Sequence, residues 1–161
     1  MGGLFIASYL MTIYLVQHGL CLAKEVEPER SISPEGRDAI IQVAHTAANA
    51  GITISTIYHS EKLRALQTAE LFSEYLKTPN IECIPGLSPL DNVEDFARRF
   101  QFAEKIMLVG HLPFMQRLAA YLITGNQDLT VVKFQNAGIV CLNQDETSNW
   151  YLKWTIMPVM D

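Results

Sequence analysis

Two short stretches constrain the fold of this chain more than anything else in it. Ile13–Val16 and Ile106–Val109 are apolar at every position, without the in–out alternation of a strand that has one face in water. Such a strand needs cover on both faces, which the crossover helices of a parallel sheet provide. Helical signals appear where that reading requires them. Ser33, Pro34 and Glu35 combine a capping hydroxyl, a proline preset for the first helical position and a carboxylate for the positive end of the helix dipole. Ile40, Val43, Ala44 and Ala47 follow at helical spacing, and Gly51 is a natural stop.

The same alternation continues along the chain. "ITISTIY" (52–58) predicts a second strand, followed by a helix from about Leu63 to Leu76 with Ala65, Ala69, Phe72 and Leu76 on one face and Pro79 just beyond. "IECIPGL" (81–87) predicts a short third strand. Val93, Phe96, Ala97 and Phe100 mark a further amphipathic helix. "KIMLVGH" (105–111) predicts the fourth strand, and Met115, Leu118, Ala119 and Leu122 the last helix, closed by Gly125. The tail then changes character: "LTVVKF", "GIVCL" and "WYLKWTI" read as strands joined by turn-rich segments such as "NQDETSN". The expectation is one domain over residues 11–161, a three-layer α/β/α sandwich on a largely parallel, mixed sheet finished by antiparallel strands.

Residues 4–16, "LFIASYLMTIYLV", are too short for a membrane helix and lack the basic start of a signal peptide. Met11 is a second start, so residues 1–10 read as an N-terminal extension ahead of the domain. The chain has 161 residues, 49% hydrophobic and 18% charged, as a single packed domain requires. Its net charge is −5 and its cations form no basic stripe, which argues against nucleic acid as a partner. An anionic substrate remains compatible, because a pocket can be locally positive on an acidic protein. Cys21, Cys83 and Cys141 are far apart, odd in number and outside any CxxC, which points to reduced thiols and a cytoplasmic setting. No membrane partner is expected.

Ligands of open α/β sheets bind beyond the carboxyl ends of the strands. Three predicted strands end there in polar residues: Gln17-His18-Gly19, then His59-Ser60 running on to Arg64, then Gly110-His111. Two histidines and an arginine suit phosphoryl transfer. An imidazole nitrogen can attack phosphorus, an arginine fork can hold the oxygens, and a second histidine can donate to another oxygen. Gly19 would let the backbone come close to a phosphate. His45 reads as a surface residue of the first helix, His59 as structural, and Cys21 as a small hydrophobe near the site. Lys24, Glu25, Glu27 and Glu29 read as a solvated loop.

These residues carry a resemblance. "YLVQHG", "HSEKLRALQTAEL" and "MLVGHLP" resemble the three motifs of the histidine phosphatase superfamily, the phosphoglycerate-mutase-like fold: Arg-His-Gly after the first strand, S-x-x-x-R-A-x-Q-T-A, and a histidine after the later strand. "RSISPEG", with Arg30 and Gly36, is similar to the segment opening that family's first helix. The short chain and its "GHLP" are most similar to the bacterial phosphohistidine phosphatase branch. The resemblance covers Met11 to about Ile156. It implies that His18 is the nucleophile that becomes phosphorylated, that Arg64 binds the phosphoryl group and that His111 stabilises it. Gln17, Gly19 and Arg30 join Arg64 in phosphate binding, and Ser60 shapes the loop leading to Arg64. It implies no cofactor and no metal. The implied partners are a protein carrying phosphohistidine or a small phosphate ester, with inorganic phosphate as product.

Two departures matter. Gln17 stands where the family pattern has arginine; it can donate N–H bonds but brings neither charge nor a guanidinium fork. That predicts reduced activity. In "IPGLSPLDN", Gly86 sits where a general-acid glutamate would fit, and Asp91 is the nearest candidate acid. A weak acid favours phosphohistidine, whose leaving imidazole has a reference pKa of about 6.5, over an alkyl ester. The chain also has no long insertion to roof the site. A phosphate-ester phosphatase and a catalytically weak phosphate-binding regulatory domain stay open as alternatives. A metal site from His18, His59 and His111 fits less well, for want of a matching carboxylate or thiolate.

Overall fold

A computed structural model describes residues 11–159 of the chain; the extension assigned to residues 1–10 lies outside them. The elements are β1 (Thr12–Gln17), α1 (Pro34–Asn49), β2 (Thr56–His59), α2 (Leu63–Leu76), β3 (Ile81–Cys83), α3 (Val93–Arg99), β4 (Ile106–Gly110), α4 (Phe114–Thr124), β5 (Ile139–Gln144) and β6 (Trp150–Ile156). They form one six-stranded sheet in the order β3-β2-β4-β1-β5-β6. The first four of that order run parallel, while β5 pairs antiparallel with β1 and β6 antiparallel with β5.

The central strands explain the unbroken apolar runs. Tyr14 and Val16 of β1, with Met107 and Val109 of β4, face the core beneath α1 and α2. Ile13 and Leu15, with Ile106 and Leu108, face the opposite core beneath α3 and α4. Both faces of each strand are therefore buried, giving the three-layer α/β/α sandwich expected. The edge strand β6 follows a different rule, with most of its residues open to solvent.

One predicted strand does not form. Residues 129–134, "LTVVKF", run as irregular and mostly exposed chain, with only Phe134 buried. Both sides of β1 are taken, by β4 and β5, and residues 129–134 pair with no strand of the sheet. Strand propensity without a partner does not make a strand.

The N-terminus of α1 sets the shape of the loop after β1. Ser33 caps the helix, its Oγ accepting from Gly36 N at 3.0 Å, and both its N–H and its hydroxyl donate to Leu20 O. Gly36 packs so tightly on the Leu20 carbonyl that a Cβ there would overlap it. At the other end the helix closes on Ala50, with Gly51 one residue further on at φ +76. Gly36→Ala is therefore expected to destabilise the fold by about 1–3 kcal/mol, as overpacking does. Thermal unfolding should register this as a fall of roughly 2–4 °C per kcal/mol; an unchanged midpoint would mean that α1 does not pack against residue 20 in this way.

Candidate active site

The register of the sheet brings the three polar strand ends together. Gln17 of β1 lies opposite Gly110 of β4, and His59 of β2 opposite Val109. His18 and His111 thus leave neighbouring parallel strands at the same level, with ring centroids 5.0 Å apart. His18 N also donates to Gly110 O at 2.9 Å, extending the ladder by one bond.

The orientation of His18 is set on both sides of its ring. A carbonyl oxygen can only accept, so Nδ1, 2.7 Å from Gly19 O, carries the proton. Nε2 then holds a free lone pair, and Arg64 Nε donates to it at 3.3 Å. The backbone is fixed as well: Asn136 Nδ2 donates to His18 O at 2.9 Å. Gly19 N donates to Thr68 Oγ1 at 2.9 Å, and that hydroxyl donates to Arg64 O at 2.7 Å. Thr68 therefore ties the loop after His18 to the turn carrying Arg64. Its neighbour Gln67 holds the other side of the loop, Oε1 accepting from Ile32 N at 2.7 Å.

His111 and Ser60 form the second half of the site. Ser60 Oγ lies 2.5 Å from His111 Nε2, and it also accepts from Lys62 N at 3.4 Å. Both residues are buried. His111 Nδ1 has no protein partner, and neither has Gln17 Oε1; with Gln135 Oε1 they are the buried side-chain polar atoms left unpaired among the described residues. Two of these three belong to this one site, where an incoming ligand would satisfy them. Turning the Gln17 amide over would offer its Nε2 donor in place of Oε1.

The electrostatics favour an anion. Burial pushes His18 down to about 4; the bond to Gly19 O opposes this, and Arg64 and Arg30 add to it. His111 is pushed down to about 3 by burial, then by His18, Arg64, Lys62 and Arg30. Arg64 is held below its ordinary value by burial and by Arg30. Arg30, at φ 55, thus belongs to the same electrostatic neighbourhood as the two histidines. Helices α2 and α4 both begin beside the site, and neither has a side-chain cap, so their amide ends add partial positive charge.

The other sequence candidates fall as follows. The space a Cβ would need at Gly19 is taken by Ile40 Cδ1 at 2.5 Å, and its N–H is spent on Thr68. Its smallness serves packing beneath α1. Asp91 Oδ2 accepts from Ser88 N at 2.8 Å, closing the turn before α3. With Glu61, Pro85, Phe96 and Phe100 it lines a cleft of about 640 Å³ whose lining does not include His18, Arg64 or His111. His59 donates from Nδ1 to Ser60 O, a structural role, and exposed His45 packs edge-on to Tyr75. Among the described residues no group of three or more His, Cys, Asp or Glu side chains is placed to hold a metal. No helix among them is long and apolar enough to cross a membrane. Asn136 was not legible in the sequence, since nothing local marks it. Thr68 and Gln67 were visible only as part of the "RALQTA" motif.

The depressed histidines predict acid sensitivity. In the folded chain both rings stay neutral well below 6.5, the ordinary value at which they titrate once unfolded. Below about pH 6.5 the unfolded state therefore binds more protons, and stability falls as pH drops toward 4. Each ring steepens the loss by up to about 1.4 kcal/mol per pH unit. Urea unfolding at pH 7.5 and 5, without phosphate, should show a larger drop for wild type than for the His18→Gln/His111→Gln protein. Parallel drops would show that the rings are not held neutral.

Comparison with known proteins adds to this geometry. No protein-family model matches the chain. An uncharacterised protein of Picosynechococcus sp. is 27% identical over 140 residues, covering 82% of this chain and 84% of its own. The structure of the protein histidine phosphatase SixA complexed with tungstate superposes with a TM-score of 0.80 at 25% identity, over 92% of this chain and 97% of that one. A phosphoglycerate mutase from Plasmodium falciparum has the same fold, with a TM-score of 0.65 at 18% identity over 94% and 96%.

Proposed function

Since the chain belongs to the histidine phosphatase superfamily, in the SixA-like bacterial branch, we propose that it is a metal-independent phosphatase working through phosphorylated His18. One observation carries this reading: His18 Nε2 presents a lone pair beside Arg64, because the ring proton sits on Nδ1, which donates to Gly19 O. Nε2 attacks phosphorus as the bond to the leaving atom breaks and takes its electron pair away. Arg64 and Arg30 balance the charge on the phosphoryl oxygens, and His111 donates to one of them. Because Nδ1 keeps its proton, phospho-His18 is an imidazolium that departs as neutral imidazole when water attacks. One water proton stays with the phosphate and the other goes to solvent.

The proposed substrate is phosphohistidine on a signalling or phosphotransfer protein. A phosphohistidine protonated on its other ring nitrogen also leaves as neutral imidazole. Transfer to His18 is then an exchange between two like leaving groups and needs no general acid. Asp91, engaged with Ser88 N, and Gly86 fit a site that does without one. A phosphate-binding regulatory domain is the second reading, favoured by Gln17, which supplies no charge.

Incubation with labelled phosphohistidine should leave acid-labile phosphate on the wild-type chain and none on His18→Ala, which should also turn over at background. Equal turnover by the two proteins defeats the phosphatase reading, and phosphate binding without any trapped label favours the regulatory one. Gln17→Arg should raise turnover, by up to about 10²-fold if the restored donor is worth what oxyanion donors commonly are. Unchanged turnover and unchanged orthovanadate affinity would show that position 17 does not limit the site.

A further inference from the structure

His111 has two ring nitrogens in unlike surroundings. Nε2 meets the Ser60 hydroxyl at 2.5 Å, while Nδ1 is buried with no protein partner. Which nitrogen carries the proton decides whether the ring offers an anion a donor or a lone pair. The surroundings of Ser60 decide this. Its side chain is 1% exposed, and its hydroxyl proton needs an acceptor. Lys62 N already donates to Oγ at 3.4 Å, and among the described residues the one acceptor within reach of the hydroxyl proton is His111 Nε2.

We infer that Ser60 is a positioning residue: by donating to His111 Nε2 it fixes the ring proton on Nδ1, the nitrogen left to meet a phosphoryl oxygen. The inference rests on the phosphatase reading and deepens it. The opposite tautomer would strand the Ser60 proton and turn a lone pair toward an anion. A doubly protonated ring is opposed by burial, by His18 and by Arg64, Lys62 and Arg30. His111 is thus a neutral donor, ready without taking up a proton. Before substrate arrives, its Nδ1–H is an unpaired buried donor, a cost that an incoming oxygen relieves.

Nitrogen-15 histidine NMR of the full chain without phosphate tests this directly. Wild-type His111 should show a protonated Nδ1 and a bare Nε2. In Ser60→Ala the proton should redistribute toward Nε2, and orthovanadate should bind about tenfold more weakly, the equivalent of about 1.4 kcal/mol. Ser60→Thr, which keeps the hydroxyl, should restore both. A merely structural Ser60 would not move the tautomer. A protonated Nε2 in wild type overturns the inference, as does Ser60→Ala with unchanged tautomer and affinity. Should Ser60→Ala fail to fold, the wild-type and Ser60→Thr spectra decide alone. If wild type neither binds orthovanadate nor forms phospho-His18, the phosphatase reading falls and Ser60's role with it. If it does both yet carries the proton on Nε2, only Ser60's role falls.

Discussion

The parallel pairing of β1 with β4 is the constraint on which the rest of the structure depends. With Gln17 opposite Gly110, the next residue on each strand is a histidine, and both histidines emerge at one level from the middle of the sheet. A shift by one residue would turn Ile13 and Leu15 toward the wrong core and part the two rings as well. Hydrophobic sorting between two cores thus also sets the geometry of the candidate site. The apolar residues of β1 fix the register, and the register places His18.

Around that pair, cations gather that form no ion pair among the described residues. Arg64, Arg30 and Lys62 all act on His111, while burial keeps both imidazoles neutral. The cations are held in place by groups that take no part in the chemistry, such as the Thr68 link between Gly19 N and Arg64 O. A site of this kind is prepared for an anion before it arrives, so little reorganisation is left for the moment of reaction. Gln17, at the end of β1, brings an amide and no charge to the same site.

Much of this was legible in the sequence because its cause is local. The unbroken runs at 13–16 and 106–109 announce two-sided burial, and the period of Ala65, Ala69, Phe72 and Leu76 with Pro79 beyond marks α2 to the residue. Ser33 acts as the cap it resembles. What escaped depends on distant chain. Residues 129–134 have strand composition but find no strand partner in the sheet, which only the fold reveals. Helix α2 ends on Lys77 at φ 55, without the glycine that usually marks such a turn. Gly19 looks like a place for close ligand approach, but it is the packing of Ile40 that requires it. Ser60 looked like a loop-shaping residue, and only the parallel pairing of β2 with β4 brings it to His111.

The separation of Asn136 from His18, 118 residues along the chain, also fixes when the site can form. His18 is synthesised early, but β1 has no neighbour until β4 and β5 exist, with Tyr14 paired to Met107 on one side and Cys141 on the other. These long closures carry an entropic cost before any contact repays it. His18 therefore gains these partners only when nearly the whole domain has been synthesised. The candidate site is assembled only when folding is complete, so a truncated or stalled chain carries His18 but not the arrangement around it.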